Sequence, residues 1–262
     1  MVNQVFAYVL AVAAQRYGVE VHAFCVLSNH FHLVVTDPHA RLPAFQQYLA
    51  AFVARATNAY LGRVETFWAP NSYSAVVLGS PEDVVAKTAY TLANPVAAGL
   101  VRAGHLWPGL WTGPDAVGTT LRVKRPDHFF DEEGLLPEAI DLELKAPSGF
   151  SSTQAYCDQL KAELARQEQA AREENPVFLG MERVLAQSPF SRPRSVEPRR
   201  RLSPTIAARD KWKRIELIGR LKGFLADYRE ALAVWREGKV APLFPAGTYL
   251  MRVAHGVACA AA

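Results

Sequence analysis

The chain has 262 residues, half of them hydrophobic, 21% charged and 10% aromatic, with a net charge of +4. That balance excludes a disordered or fibrous chain, and no apolar run approaches the roughly 18 residues that a membrane-spanning helix needs. Three cysteines, Cys25, Cys157 and Cys259, are too few and too far apart for a disulfide framework or a thiolate zinc site, which points to a cytoplasmic protein.

Apolar positions in residues 2–17 recur with a helical period, and Gly18 supplies a C-cap. Val19 to Leu27 alternates as a strand, Ser28-Asn29 is a turn dipeptide, and His30 to Thr36 is the returning strand. Leu42, Phe45, Leu49, Phe52, Val53, Ala56 and Tyr60 line one face of a helix that ends at Gly62. Tyr73 to Leu78 reads as another strand. Ser80-Pro81-Glu82-Asp83 then opens a helix with a capping serine, a proline at its first position and carboxylates on the positive end of the dipole. Pro95 disfavours α geometry in the residue before it, so this helix is expected to stop near Asn94. The order α-β-β-α-β-α lacks only a leading strand to make the split β-α-β-β-α-β unit of ferredoxin-like folds.

Val101 to Gly149 is rich in Gly, Pro and Trp and has little periodicity. Residues 152–174 predict a polar helix, and residues 206–236 a helix with Leu217, Leu221, Phe224, Leu225, Tyr228, Leu232 and Trp235 on one face. Charge is segregated: residues 126–188 carry 13 acidic and 5 basic side chains, whereas residues 189–214 carry 9 basic, 2 acidic and four prolines. A basic block of this density suits a polyanion, with a solvated linker paired to the acidic stretch as the plain alternative.

The chemistry concentrates in two short stretches. On a strand, His30 and His32 would project together while Phe31 enters the core, offering two imidazoles to one divalent ion without any loop to order. Tyr90 and Asn94 stand at i,i+4 on the helix, on the face of Asp83 and Lys87. If that face meets the histidines, a phenol, two imidazoles and an amide oxygen surround one site. Such a site suits Mg²⁺ or Mn²⁺ polarising a phosphoryl oxygen. A phenol with a pKa of about 10 is a weak nucleophile unaided, yet the ester it forms keeps the energy of the cleaved phosphodiester. That is the logic of strand transfer rather than hydrolysis. Each residue taken alone has an ordinary reading: a hydrogen-bonded histidine, a packing tyrosine, a helix-ending asparagine.

Leu27-Ser28-Asn29-His30-Phe31-His32-Leu33-Val34-Val35, followed by Tyr90-Thr91-Leu92-Ala93-Asn94-Pro95-Val96-Ala97-Ala98-Gly99-Leu100-Val101, resembles the single-tyrosine HUH transposases. The likeness is greatest to their REP-associated branch, with its "SNHxHLLV" and "YxxxNPVxAGLV" pairing, and covers roughly residues 1–110. The resemblance implies an α+β, ferredoxin-like HUH domain over residues 1–125 with its first strand missing. A mostly helical extension, residues 126–262, carries the basic segment 189–214. It further implies a metal-dependent single-strand DNA endonuclease and strand transferase, using Mg²⁺ or Mn²⁺ on single-stranded or hairpin DNA. Tyr90 would attack the scissile phosphate, become joined to the 5′ phosphate and free a 3′ hydroxyl, with His30, His32 and Asn94 as metal ligands. Monomers and homodimers both occur in the family; the setting would be the cytoplasm, at the nucleoid, away from membranes.

Lys87, Arg55 and the triplet Arg199, Arg200 and Arg201 are candidate DNA contacts on charge alone. The chain departs from the family in two respects. No leading strand precedes the first helix, which would expose an edge of the histidine-bearing sheet and weaken the core. About 110 residues after position 150 also exceed the minimal family domain. A degenerate relative that binds structured DNA without cutting it is therefore the second reading. A phosphoesterase acting on nucleotides is the third, but no water-activating base accompanies the histidines.

Overall fold

In the computed structural model, which describes residues 1–69, 72–191, 205–238 and 240–262, the chain is α+β, with helices packed on both faces of a small antiparallel hairpin. The first helix, α1 (Val2–Tyr17), is apolar on nearly all sides from Val5 to Ala14 and is accordingly buried along that length. Gly18 ends it in the left-handed conformation, donating its N–H to Ala14. The hairpin follows: β1 (Glu20–Val26) and β2 (Phe31–Thr36) pair from Val26↔Phe31 to Glu20↔Thr36, with an irregularity between Val21 and Ala23. Leu27 N–H to His30 carbonyl, 2.8 Å, closes the turn.

Alternation along the strands sorts the core into two layers. Phe31, Leu33 and Val35 join Val21 and Phe24 against α1 and α2 (Leu42–Leu61). Ala23 and Val34 face the other way, onto α3 (Pro81–Ala97) and α4 (Thr153–Glu174). Each large apolar side chain so buried contributes about 1.5–3 kcal/mol. In α3 the Ser80 hydroxyl accepts from Asp83 N–H at 3.2 Å, the expected cap. The helix runs past Asn94 to Ala97, however, with Pro95 inside it. Proline's fixed φ is already helical; the position loses the bond its N–H would have made to Thr91 and crowds that carbonyl with its ring, and burial of Leu92, Ala93, Pro95 and Val96 outweighs both costs.

Val101 to Gly149 is not structureless. Two 3-10 turns, Gly104–Leu106 and Pro114–Ala116, lead into an antiparallel hairpin of β4 (Thr120–Lys124) and β5 (Ala139–Glu143). Ile140, Leu142 and Leu144 complete the α1 layer. The domain boundary expected after residue 125 thus falls inside this hairpin, and both core layers draw on residues beyond it. The buried ones beyond it in the α3 layer, Tyr156, Cys157, Leu160 and Leu164, come from α4.

The sheet edges differ. The free edge of β1 is covered, because Val26 N–H bonds Leu110, Thr112 N–H bonds Phe24, and Lys145 N–H bonds Val21. Thr112 Oγ1 adds a bond from Phe24 N–H at 2.8 Å. Among the described residues no third strand pairs with β2. The strand expected over Tyr73–Leu78 is reduced to β3 (Val77–Leu78), and it does not join β2. It pairs in parallel with β6 (Ile206–Ala207), inside the basic segment 189–214. The remaining elements are α5 (Met181–Leu185), α6 (Lys211–Glu237) and α7 (Leu250–His255). Tyr228, Leu232 and Trp235 of α6 pack with Ala231 of the same helix against Phe244 and Met251.

The β3–β6 contact depends on a glycine. A Cβ at Gly79 would stand 2.6 Å from Ala208 Cβ and 3.3 Å from both Asp83 Oδ2 and Lys213 Cγ. Gly79→Ala is expected to cost about 1–3 kcal/mol locally and to loosen residues 205–213 from α3. Exchange of the Val77 amide, which donates to Thr205 at 2.8 Å, should quicken about 10-fold or more while the core amides of α1 keep their protection. Unchanged Val77 exchange would mean that the extension tolerates the crowding.

Helix α4 also carries an acid-sensitive clasp. Glu163 accepts from Arg166 Nε at 2.8 Å and Gln167 Nε2 at 2.7 Å, which, with the Arg166 bond the larger cause, hold its carboxyl down at about 2. A depressed carboxylate stabilises the fold above its unfolded pKa and loses that contribution as pH falls through the folded value. Allowing for solvent screening, the clasp is worth about 1 kcal/mol. Between about pH 4.5 and 2 the wild type should therefore lose more stability in urea titrations than Glu163→Gln does.

Candidate active site

The strand alternation that buries Val34 against α3 sends His32 to the same side. His30 is not on the strand: it sits one residue before β2, at the end of the turn. Its ring nevertheless lies 5.0 Å from that of His32, centroid to centroid and edge to face. The paired imidazoles thus come from a turn residue and a strand residue. Asn29 holds the first of them, its Oδ1 2.7 Å from His30 Nδ1. An amide oxygen there accepts the Nδ1 proton and leaves Nε2 with its lone pair, the tautomer a metal ligand requires.

Across from them runs one stripe of α3. Asp83, Lys87, Tyr90 and Asn94 are spaced four, three and four residues apart, so they share a face over about 16 Å of helix axis. The Tyr90 ring stands 5.9 Å from His32, nearly perpendicular to it, and remains 45% exposed, open to a macromolecular substrate. The Lys87 ammonium lies 5.2 Å from the Tyr90 ring centre. The Asn94 side chain lies beside His30, where it favours the protonated imidazole. The fold therefore brings His30, His32, Tyr90, Asn94 and Lys87 to one place. Arg55 does not join them: it is on α2, with its guanidinium 4.4 Å from the Phe52 ring centre and Nε on Ala51. Arg199, Arg200 and Arg201 lie outside the described residues.

Two histidines of the same hairpin show what distinguishes this site. His22 is a satisfied core histidine, with Nδ1 2.8 Å from the Lys145 carbonyl and Nε2 2.8 Å from Thr36 Oγ1. His32 has a buried Nε2 with no partner. Burial, with a smaller contribution from His30, pushes the His32 pKa down to about 4. Burial also lowers His30, opposed by the neighbouring Asn94 side chain. Both imidazoles are thus neutral near pH 7, and the orphaned nitrogen costs about 1–3 kcal/mol unless something binds it. His128 Nε2 is likewise unpartnered, but the Tyr60 ring faces it and no second imidazole accompanies it.

The donor set fits a divalent metal. Two neutral imidazoles, one with an unclaimed nitrogen, stand beside an amide carbonyl. Among the described residues no cluster of three or more His, Cys, Asp and Glu suited to a metal is found, so Asn94 would supply the third protein ligand. Coordination positions left open are what phosphoryl chemistry needs.

Residue patterns in the sequence did not single out Asn29 as more than a turn former, and its neighbour in the chain was the only signal for an orienting role. Nor did they connect residues 206–214 to Tyr90. The structure opens a cavity of about 480 Å³ there, lined by Lys87 and Tyr90 together with Gln167, Arg209 and Arg214. Comparison with known proteins finds no matching protein-family model, no matching curated protein and no matching solved structure.

Proposed function

We propose that the protein is a metal-dependent, single-strand DNA endonuclease and strand transferase of the single-tyrosine HUH type, with Tyr90 as nucleophile. The observation that carries this reading is the meeting of His32, with its unpartnered buried Nε2, and the exposed Tyr90 ring 5.9 Å away. A structural histidine would be satisfied as His22 is, and a packing tyrosine would be covered. In support, residues far apart in the chain, from turn, strand and helix, converge in the arrangement that the two motifs require together. The ferredoxin-like HUH architecture belongs to the same proposal. The β-β-α order and the helices on both hairpin faces support it.

A Mg²⁺ or Mn²⁺ ion held by His30, His32 and Asn94 would supply charge to the phosphoryl oxygen. The chain's own residues do the rest. Asn29 orients the His30 ring, and His32 is held by its strand. Tyr90 Oη attacks phosphorus as it gives up its proton; the P–O3′ bond breaks, a 5′-phosphotyrosine forms and the departing oxygen takes a proton as a 3′ hydroxyl. Lys87, one turn before Tyr90, contacts a phosphate oxygen of the bound strand. The substrate is single-stranded or hairpin DNA, and among the described residues no helix is long and apolar enough to cross a membrane.

The test is a covalent adduct. Incubation with Mn²⁺ and labelled hairpin oligonucleotides carrying single-stranded flanks should give a denaturation-resistant protein–DNA band, with the nucleotide mass on the peptide containing Tyr90. One observation favours a second reading, a relative that binds DNA and does not cut it: β2, which carries His32, has no strand along its outer edge among the described residues. Salt-sensitive hairpin binding with no adduct at any metal concentration would select that reading.

A further inference from the structure

The cavity beside Tyr90 is built by distant parts of the chain, with Gln167 of α4 between its two main walls. Asp83, Ala86, Lys87 and Tyr90 of α3 form one wall, and β6 with the start of α6 forms another through Ile206, Ala208, Arg209 and Arg214. A buried carboxylate joins them. Asp83 Oδ1 accepts the Arg209 backbone N–H at 3.0 Å while Oδ2 accepts the Ser80 hydroxyl at 2.9 Å. Both Asp83 oxygens are thereby engaged by neutral donors.

The cations around the cavity are left available. Among the described residues Lys87, Arg209 and Arg214 form no salt bridge, although other cations of the same region do, Lys213 and Arg220 with Glu216. Arg209 lies near Glu163, whose carboxylate is already engaged by Arg166 and Gln167. Arg214 reaches only a backbone carbonyl, Ala208 at 3.4 Å. Three cations ring a space of nucleotide size whose floor, Ile206 to Ala208, is apolar. The exposed Tyr90 forms part of its rim.

We propose that this cavity seats a DNA phosphate and its sugar next to the scissile phosphate, held by Lys87, Arg209 and Arg214. The C-terminal extension then completes the substrate site instead of being an appendage to it. The inference rests on the reading of Tyr90 as the nucleophile on single-stranded DNA. It names the residues that would hold the strand against that nucleophile. The β3–β6 pairing fixes their place: residues 205–207 are laid beside the strand that leads into α3, and the Arg209 backbone is tied to Asp83 in the first turn of the tyrosine helix.

The experiment is fluorescence anisotropy of the full chain with a labelled hairpin oligonucleotide in EDTA, so that binding is read without cleavage. It compares wild type, Arg209→Gln/Arg214→Gln, and a control pair on the far half of α6, Arg229→Gln/Arg236→Gln. For a single strand, each phosphate that the protein ceases to neutralise lowers the log–log salt slope by about 0.7. The cavity pair should lower it by about 0.7, the one phosphate seated there, and weaken binding about 10-fold or more at moderate salt, with the control pair close to wild type. Gly79→Ala, which alters no charge, should weaken binding in the same direction by displacing β6. Equal losses from both pairs, no loss from either, or no binding by wild type would overturn the proposal. The two readings separate cleanly. A Tyr90 adduct with unaltered binding by the cavity pair sinks the cavity alone. Loss of binding by the cavity pair with no wild-type adduct keeps the cavity and sinks the nuclease.

Discussion

Tyr90→Phe should form no covalent adduct with hairpin DNA in Mn²⁺ while binding the same DNA within about twofold of wild type. The substitution deletes one exposed hydroxyl. The ring stays, and with it the edge contact to His32 and the Lys87 ammonium over its face. A helix residue that is 45% exposed has little stability to lose, so the thermal midpoint should move by less than about 2 °C. Chemistry, by contrast, has no substitute, because among the described residues the only phenol whose ring is paired with His30 or His32 is Tyr90. Loss of a covalent nucleophile lowers the rate by several powers of ten, not by a factor of a few. The measurement is the adduct band on a denaturing gel. Persistence of that band in Tyr90→Phe at even a tenth of the wild-type yield would remove Tyr90 from the reaction.

Much of the first hundred residues was legible because local rules and tertiary needs agree there. Gly18 and Gly62 end helices at positive φ, Ser80 caps its helix, and the 2-residue period of Phe31 to Val35 matches the two layers of the core. The reading of Pro95 as a helix stop failed because burial of Leu92, Ala93, Val96 and Pro95 itself outweighs the hydrogen bond that proline forbids. The hairpin β4–β5 escaped because one strand is exposed on nearly every residue, so Thr120-Leu121-Arg122-Val123-Lys124 carries no strong apolar signal. Ile140, Leu142 and Leu144 do alternate and could have marked its partner. In the site, spacing alone put Tyr90 and Asn94 on one face. Which way that face turns is set by packing of Ala89, Leu92 and Ala93 against the hairpin and α4, a long-range fact. The cavity was least legible of all, since the two residues of β6 pair with two of β3 more than 125 positions earlier and neither pair carries a pattern.

His32→Leu should make the protein more stable and useless as a catalyst. Leucine matches the imidazole approximately in volume and removes a buried nitrogen that has no partner. It also removes a group whose charged form the site disfavours, with a pKa down at about 4. Relief of an unsatisfied buried atom is worth about 1–3 kcal/mol, from which the less favourable strand propensity of leucine takes a few tenths. The expected net is about 1 kcal/mol in urea denaturation. Metal linkage supplies the second readout. An ion that binds only the folded wild type raises its stability by RT ln(1 + [L]/Kd), about 2.7 kcal/mol at a hundredfold excess over Kd. Titrating Mn²⁺ should therefore raise the wild-type midpoint progressively and leave His32→Leu unmoved, with the adduct lost in the same variant. A core histidine predicts the opposite pattern, in which substitution destabilises and Mn²⁺ acts equally on both proteins. His22→Leu provides that behaviour as an internal comparison, since both of its nitrogens have partners that the substitution would strand. Greater stability with lost metal response would mark His32 as a residue kept at a cost to the fold for the ion it binds.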